Sequence, residues 1–315
     1  MSLAERLRLA ILLWFVLTIA IGQFIVVAVW IAERLGKGVR NSQFTQPKVR
    51  LTFTLLFTLL ALCFFYAAFI EPNWLELTEV DLSTTKLNEG TKLTLVQLSD
   101  LHSTGKERLE KRLLSIVNSY RPDLIFLKGD YLNSHDGVPI VRKLLRRLKA
   151  KHGIFAVMGN WDVWYFADVP VFEGTKVKVL DGDTVRLKVN GCWVYIAGVS
   201  VENEGALEQS LRKRRPTDFA VLLYHSPDLI EDASRLGVDL YLSGHTHGGQ
   251  VALPFYGAII TLSRYGKRFE RGLHQVGNTL MYVNRGIGFE GGFLPLRFCS
   301  RPEVTVFRID GIAAE

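Results

Sequence analysis

Residues 93–102 read LTLVQLSDLH: an apolar run from Leu93 to Leu98 that stops at a carboxylate and an imidazole, Asp100 and His102, two positions apart. Similar runs recur downstream and alternate with amphipathic stretches: Leu109 to Tyr120, Leu124 to Leu127, Val141 to Leu148, Ile154 to Met158. Short strands alternating with helices predict βαβαβ units and an α/β layered domain. In the second helix Val141, Leu144, Leu145 and Leu148 fall at i, i+3, i+4 and i+7, which marks one stripe for the core. Its other face carries Arg142, Lys143, Arg146, Arg147, Lys149 and Lys151, either solvated or laid over anionic lipid. Val177 to Val199 predicts strands with turns at Asp181-Gly182-Asp183 and Asn190-Gly191, the second a hairpin signal. Phe219 to Tyr224 and Leu240 to Leu242 are further apolar runs.

Upstream of this pattern the composition changes. Leu9 to Ala32 holds 24 residues without a charge and Leu51 to Ile70 holds 20, each near the roughly 20 needed to cross a bilayer as helix. They predict two transmembrane helices in an anchor over residues 1–70, then a connector over 71–90 and a second domain over 91–315. A cleaved signal peptide fits less well, because the first run exceeds the ~7 to 15 residues of an h-region and a second span follows. The stretch from Glu33 to Arg50 carries Arg34, Lys37, Arg40, Lys48 and Arg50, whereas Glu71 to Leu82 carries four acidic residues and no basic one. Basic loops stay in the cytoplasm, so the second domain is expected on the outer face of the cell (inner) membrane, with Arg6 and Arg8 as opposing evidence.

The first 70 residues hold seven basic side chains against Glu5 and Glu33, five of the formal +7 of the 315-residue chain. The near-neutral remainder lacks the charge that broad capture of nucleic acid requires, and no protein partner follows from the residues. Cys63, Cys192 and Cys299 are too few and too scattered for a disulfide framework or a thiolate metal site, and at most one pair could bridge.

Polar residues gather where apolar runs end: Asp100 and His102, Gly129-Asp130, Gly159-Asn160, His225, and Gly244-His245-Thr246-His247. Ligands of open α/β sheets bind beyond the carboxyl ends of strands, so these distant stops can converge. Singly, a Gly-Asp or Gly-Asn after a strand is an ordinary turn, and His225 alone is as readily a core histidine. His245 and His247 point further, because the flanking glycines let backbone approach a site. Two Asp, one Asn and four His offer oxygen and nitrogen donors without thiolate, which suits Mn, Fe or Zn. One ion cannot use seven side chains, but two sharing a carboxylate can. Paired ions about 3.5 to 4 Å apart serve in-line attack on phosphorus and lower the pKa of bound water, so no nucleophilic side chain is needed.

The order of these five blocks resembles the calcineurin-like metallophosphoesterases, whose signature runs D-x-H, G-D, G-N-H-[DE], H, G-H-x-H, over roughly residues 91 to 309. The resemblance implies a sandwich of two mixed β-sheets flanked by helices. It places a first metal on Asp100, His102, Asp130 and His247 and a second on Asp130, Asn160, His225 and His245, with Asp130 bridging. Gly244 to Gln250 and Tyr282 to Gly288 are similar to the membrane-anchored branch that contains cell-envelope phosphodiesterases and UDP-diacylglucosamine hydrolases. In one departure, Trp161 stands where the family has a histidine that stabilises the transition state or protonates the leaving group. Indole delivers no proton there, which favours a diester or pyrophosphate over an alkyl monoester.

The expected function is therefore a membrane-anchored phosphoesterase using two divalent ions, Mn favoured, on a phosphodiester or pyrophosphate of a lipid or envelope substrate. Asp130, Asn160 and His245 carry catalysis through the metals, and no separate general acid is assigned. Two alternatives stand beside it: a UDP-2,3-diacylglucosamine pyrophosphatase of lipid A synthesis, with its domain on the cytoplasmic face, and a non-catalytic metal-binding sensor or scaffold. His135 is either a stand-in acid or an exposed loop residue, and His152 and His274 lack supporting context. Arg264, Lys267, Arg268 and Arg271 either bind substrate phosphate or face solvent. Trp161, Trp164, Tyr165 and Phe166 are core or a wall for an apolar substrate.

Overall fold

The computed structural model describes residues 3–37, 43–290 and 295–313. The chain divides into two compact units, Met1–Ile70 and Glu71–Glu315. In the first, α1 (Leu3–Arg34) and α2 (Pro47–Phe65) are each long and apolar enough to cross a membrane, and α2 continues through a π-helical turn, Tyr66–Ile70. Their large apolar side chains, Trp14, Phe24, Leu51 and Phe65 among them, are exposed, as befits helices apolar all round rather than along one stripe. Pro47 opens α2, where a missing N–H breaks no helical bond. Arg40 of the basic loop lies outside the described residues.

The second unit is built in the opposite sense, with apolar residues inward. Its strands are β1 (Glu76–Thr84), β2 (Lys92–Leu98), β3 (Leu124–Leu127), β4 (Ile154–Ala156), β5 (Val177–Val179), β6 (Asp183–Val189), β7 (Cys192–Gly198), β8 (Phe219–Leu223), β9 (Leu240–Ser243), a small pair β10 (Ala252–Leu253) and β11 (Gly257–Ala258), β12 (Gly272–Val276), β13 (Thr279–Val283) and β14 (Glu303–Gly311). Between them lie α3 (Glu110–Ser119), α4 (Val138–Arg147), α5 (Asn160–Tyr165), α6 (Leu207–Leu211) and α7 (Ile230–Arg235). Two six-stranded mixed sheets result, in the orders β1-β14-β2-β3-β4-β5 and β12-β13-β9-β8-β7-β6.

Alternation along the strands sorts side chains into three cores. Leu93, Leu95, Leu124 and Phe126 pack with Val194, Val221, Leu223 and Leu242 in one cluster containing residues of both sheets. On the other face of the first sheet, Val96, Leu98, Ile125 and Leu127 meet Leu113 and Val117 of α3 and Val141, Leu144 and Leu145 of α4. Beyond the second sheet, Leu222, Tyr241 and Met281 meet α6 and α7. Because both faces of the parallel strands are covered, their sequences read as continuous apolar runs. The Asn190-Gly191 turn joins antiparallel β6 and β7 with both residues at positive φ, 49° and 91°, as a type I′ hairpin requires.

Several expectations need correction. Glu71 to Gly90 is not a connector, because β1 inside it pairs in parallel with β14. Exposure alternates along the strand, with Val80 and Leu82 packed on the core and Glu79 and Asp81 outward; the charges hide a one-sided edge strand. The basic face of α4 is solvated, as one of its two readings had it, with Arg142 paired to Glu173 and Lys143 to Glu107 at the surface. No disulfide joins Cys63, Cys192 or Cys299 to another.

Candidate metal centre

The motif residues sit just past the ends of β2, β3, β4, β8 and β9, and the structure draws them together. Ligand atoms of Asp100, His102 and His247 lie within 4.8 Å of one another, as do those of Asp130, His225 and His245. Asp130 Oδ2 is 3.6 Å from Nε2 of His102 in the first cluster and 3.2 Å from Nε2 of His225 in the second. A single carboxylate therefore touches both groups. Asn160 is buried between two residues that press on the same carboxylate: a Cβ on Gly159 would fall 2.2 Å from Asp130 Oδ1, and the Trp161 amide donates to that oxygen at 2.9 Å. Gly244 is equally confined, since a Cβ there would lie 2.4 Å from Asp100 Oδ2.

The backbone is strained where the ligands are. Asp100, His102, Asp130, His245 and His247 all have positive φ, between 42° and 71°, a region costing about 1–3 kcal/mol per residue when the side chain is not glycine. Supports surround them. Asp162 accepts from the backbone N–H groups of Gly159, Asp130 and Tyr131, fixing the bridging residue. Gln97 Nε2 donates to the Ser243 carbonyl and ties β2 to β9 beneath the site.

Electrostatics explain what the arrangement lacks. Burial, moderated by His225 and reinforced by Asp130, pushes Asp100 up to about 6. Burial pushes His102 down to about 4, and burial with the charge of His225 does the same to His245. Burial also opposes charge on His225, yet Asp130 and Asp100 outweigh it and raise that imidazole to about 10. Two buried carboxylates thus compete for one protonated ring. Among the described residues, His102 Nε2 and Asn160 Oδ1 are buried without a hydrogen-bond partner, an arrangement that is costly unless something else satisfies them. Since His225 Nδ1 faces the Lys128 carbonyl it must donate there, leaving Nε2 a bare lone pair when the ring is neutral. Asn133 fixes His102 likewise, Oδ1 to Nδ1 at 2.7 Å, and its own amide is oriented by donation to the Phe289 carbonyl. Inward lone pairs, buried carboxylates and an unpartnered amide oxygen form a donor set that fits divalent cations.

The sequence profile of the calcineurin-like phosphoesterases matches residues 93–249. YkuE, a metallophosphoesterase of Bacillus subtilis, is 35% identical over 257 residues, covering 78% of this chain and 88% of its own. The chain belongs to the calcineurin-like metallophosphoesterases. YkoQ of the same bacterium is 27% identical over 69% of this chain and 84% of its own, and a Danio rerio protein named a transmembrane protein with metallophosphoesterase domain is 28% identical over 73% and 56%. This metallophosphoesterase is a metal-dependent phosphoester hydrolase.

The remaining candidates scatter. His135 is exposed and packs on Phe166 at 5.3 Å, which removes it as a stand-in acid. His152 is exposed, and His274 bonds the Arg271 carbonyl. Arg264 pairs with Glu204 and Asp228, Lys267 stacks on Tyr256, Arg268 lies over Phe269, and Arg271 bonds the Cys299 carbonyl beside Gly248. Phe166 is core, Trp164 and Tyr165 are exposed, and Trp161 meets His102 edge-on at 5.2 Å. Next to His102 opens a cavity of about 230 Å³ with Leu113, Val141, Leu144 and Phe289 as apolar wall and Lys106 and Arg108 as cations. Sequence reasoning passed over Asn133, Arg297 and Glu290, and gave Gln250 no role of its own. Arg297, fully buried, reaches Nδ1 of His247 at 3.1 Å.

Proposed function

We propose that this metallophosphoesterase is anchored in the cell membrane by α1 and α2 and hydrolyses a phosphodiester or pyrophosphate of a lipid or envelope substrate. Two divalent cations, manganese foremost, would be held by Asp100, His102, Asp130 and His247 and by Asp130, Asn160, His225 and His245. The observation that carries this reading is Asp130 set between two clusters, with His102 Nε2 and Asn160 Oδ1 buried and without a hydrogen-bond partner among the described residues. Bound divalent cations supply Lewis acidity, which lowers the pKa of water and offsets phosphoryl charge.

The protein's own residues contribute position and shape. Asp162 and Gly159 set the bridging carboxylate, and the strained backbone at five ligands holds their donors converged before substrate arrives. The apolar wall of the cavity beside His102 supports a substrate with an apolar group next to its phosphate, in a lining where Lys106 and Arg108 stand beside Glu107 and Glu110. Two apolar helices in the same chain support a bilayer as the place where it is met. The basic residues between those helices favour the outer face. A UDP-2,3-diacylglucosamine pyrophosphatase would need the cytoplasmic face, where its nucleotide substrate is made.

The test uses the full chain in detergent with manganese and bis(4-nitrophenyl) phosphate. Wild type is expected to exceed Asp130→Asn and His247→Ala by orders of magnitude; equal rates would end the hydrolytic reading. Protease added to spheroplasts is expected to digest the second unit, and protection there would transfer support to the cytoplasmic alternative.

A further inference from the structure

Trp161 leaves the site without the histidine that its family places there, and an indole N–H is a donor of hydrogen bonds rather than of protons. We propose that Glu290 is the general acid of this site, protonating the oxygen that leaves phosphorus, with Trp161 as the residue that positions it. The inference rests on the phosphoesterase reading above and extends it to the substrate.

The geometry is a chain of short contacts. The backbone N–H of Trp161 donates to Asp130 Oδ1 at 2.9 Å, and the indole Nε1 of the same residue donates to Glu290 Oε1 at 3.0 Å. One side chain therefore sets the distance from the bridging carboxylate to the glutamate. Gln250, three residues past His247, clamps Glu290 from the other side, receiving its N–H on Oε1 at 2.6 Å and donating from Nε2 to its carbonyl at 2.8 Å. Among the described residues Oε2 of Glu290 makes no hydrogen bond. A carboxyl fixed at its backbone by one motif and at one oxygen by another is preorganised in the manner of a working acid.

Burial pushes the Glu290 carboxyl above its ordinary range, against the pull of the Trp161 hydrogen bond.

The step balances simply. A water oxygen forms the new bond to phosphorus and sheds one proton to solvent. The bond to the leaving oxygen breaks with its electron pair, and that oxygen takes the proton of Glu290. The resulting carboxylate is reprotonated from solvent. An acid is most valuable when the leaving oxygen is strongly basic, which points to a phosphodiester that expels an alcohol rather than to a pyrophosphate, whose leaving phosphate needs little help.

The experiment varies the leaving group alone. Full-length wild type and Glu290→Gln, in detergent with manganese, are given 4-nitrophenyl methyl phosphate and phenyl methyl phosphate, and their metal content is measured. Glutamine keeps an acceptor for the indole N–H but has no acidic proton. The loss of kcat/KM on the phenyl ester is expected to exceed that on the nitrophenyl ester by about 10²-fold or more, with two metals per chain retained. Equal losses on both esters, no loss on either, or loss of metal would overturn the assignment and leave the hydrolase reading intact. A wild-type enzyme inert toward both esters would sink the reading beneath it.

Discussion

Asp100, His102 and His247 each have a side chain bonded to the ligand group itself, whereas around Asp130 and His225 backbone groups touch the ligand side chains and the carboxylate of Asp162 acts one step back, on backbone N–H groups. In the first cluster Ser99 donates to Asp100, Asn133 fixes His102, and Arg297 reaches His247. In the second, the Lys128 carbonyl orients His225, and the Trp161 amide fixes Asp130. The donors are nearly the same, but their supports differ in what mutation can reach. A side-chain support vanishes with one substitution, while a carbonyl survives any change of its own side chain. The first cation site should therefore be separable from the second by mutation of Asn133, whereas the side-chain support within reach of the second, Asp162, acts on the Asp130 that both share.

The largest effect belongs to the residue the two clusters share. Asp130→Asn is expected to lower kcat by about 10³-fold or more, since several kcal/mol of transition-state charge stabilisation is withdrawn, and metal analysis should find both equivalents weakened. Retention of one tight equivalent would break the idea of a shared carboxylate.

Next comes Asn133→Ala, which frees the His102 ring and leaves His225 untouched. Loss of such a support typically costs about 10- to 100-fold in metal affinity or activity. Titration with manganese should show one weakened site beside one unchanged.

Glu303 tests a more remote support of the first cluster. Buried, it accepts from the backbone and guanidinium of Arg285, just before the loop whose Ile287 and Gly288 amides bond the Asp100 carbonyl. Burial alone would raise its carboxyl, but Arg285 and the hydroxyls of Thr78 and Tyr282 hold it below the ordinary range. A depressed carboxyl stabilises the fold above its unfolded pKa, about 4.3, and that contribution is lost as pH falls through the folded value. Glu303→Gln is expected to cost about 3 kcal/mol near pH 7, a gap that narrows below about pH 4, as thermal midpoints would record.

The smallest effect on the site is expected from Lys128→Met. Burial pushes the Lys128 ammonium well below its ordinary pKa, and its Nζ has no hydrogen-bond partner among the described residues. Removing it should gain about 1–3 kcal/mol while the carbonyl that orients His225 stays in place. Unchanged metal content with a raised thermal midpoint would sharpen the contrast, and lost metal would contradict it.

Much of this was legible along the chain. Strand runs ending in Asp100, Asp130, Asn160, His225 and His245 stood out because both faces of the parallel strands are covered, and Asn190-Gly191 announced its hairpin. What stayed hidden depended on partners distant in sequence. In β1 each inward residue is followed by an outward one, Glu79 and Asp81 included, and only pairing with β14 makes it a strand. Glu290 belongs to no motif, and its role comes from Trp161 and Gln250, elements that meet only in the folded state. Trp161 was visible as a departure, but a departure shows what is missing and not what replaces it.

The position of β14 between β1 and β2 also bears on how the protein is made. Both neighbours leave the ribosome about 200 residues ahead of it, which at about 5–20 residues per second is roughly 10–40 s of waiting. During that interval α1 and α2 have already been synthesised, while two strands of the nascent sheet carry unpaired edges. Synthesis thus orders the work: α1 and α2 come first, and the sheet that carries Asp100 closes only once β14 has been made.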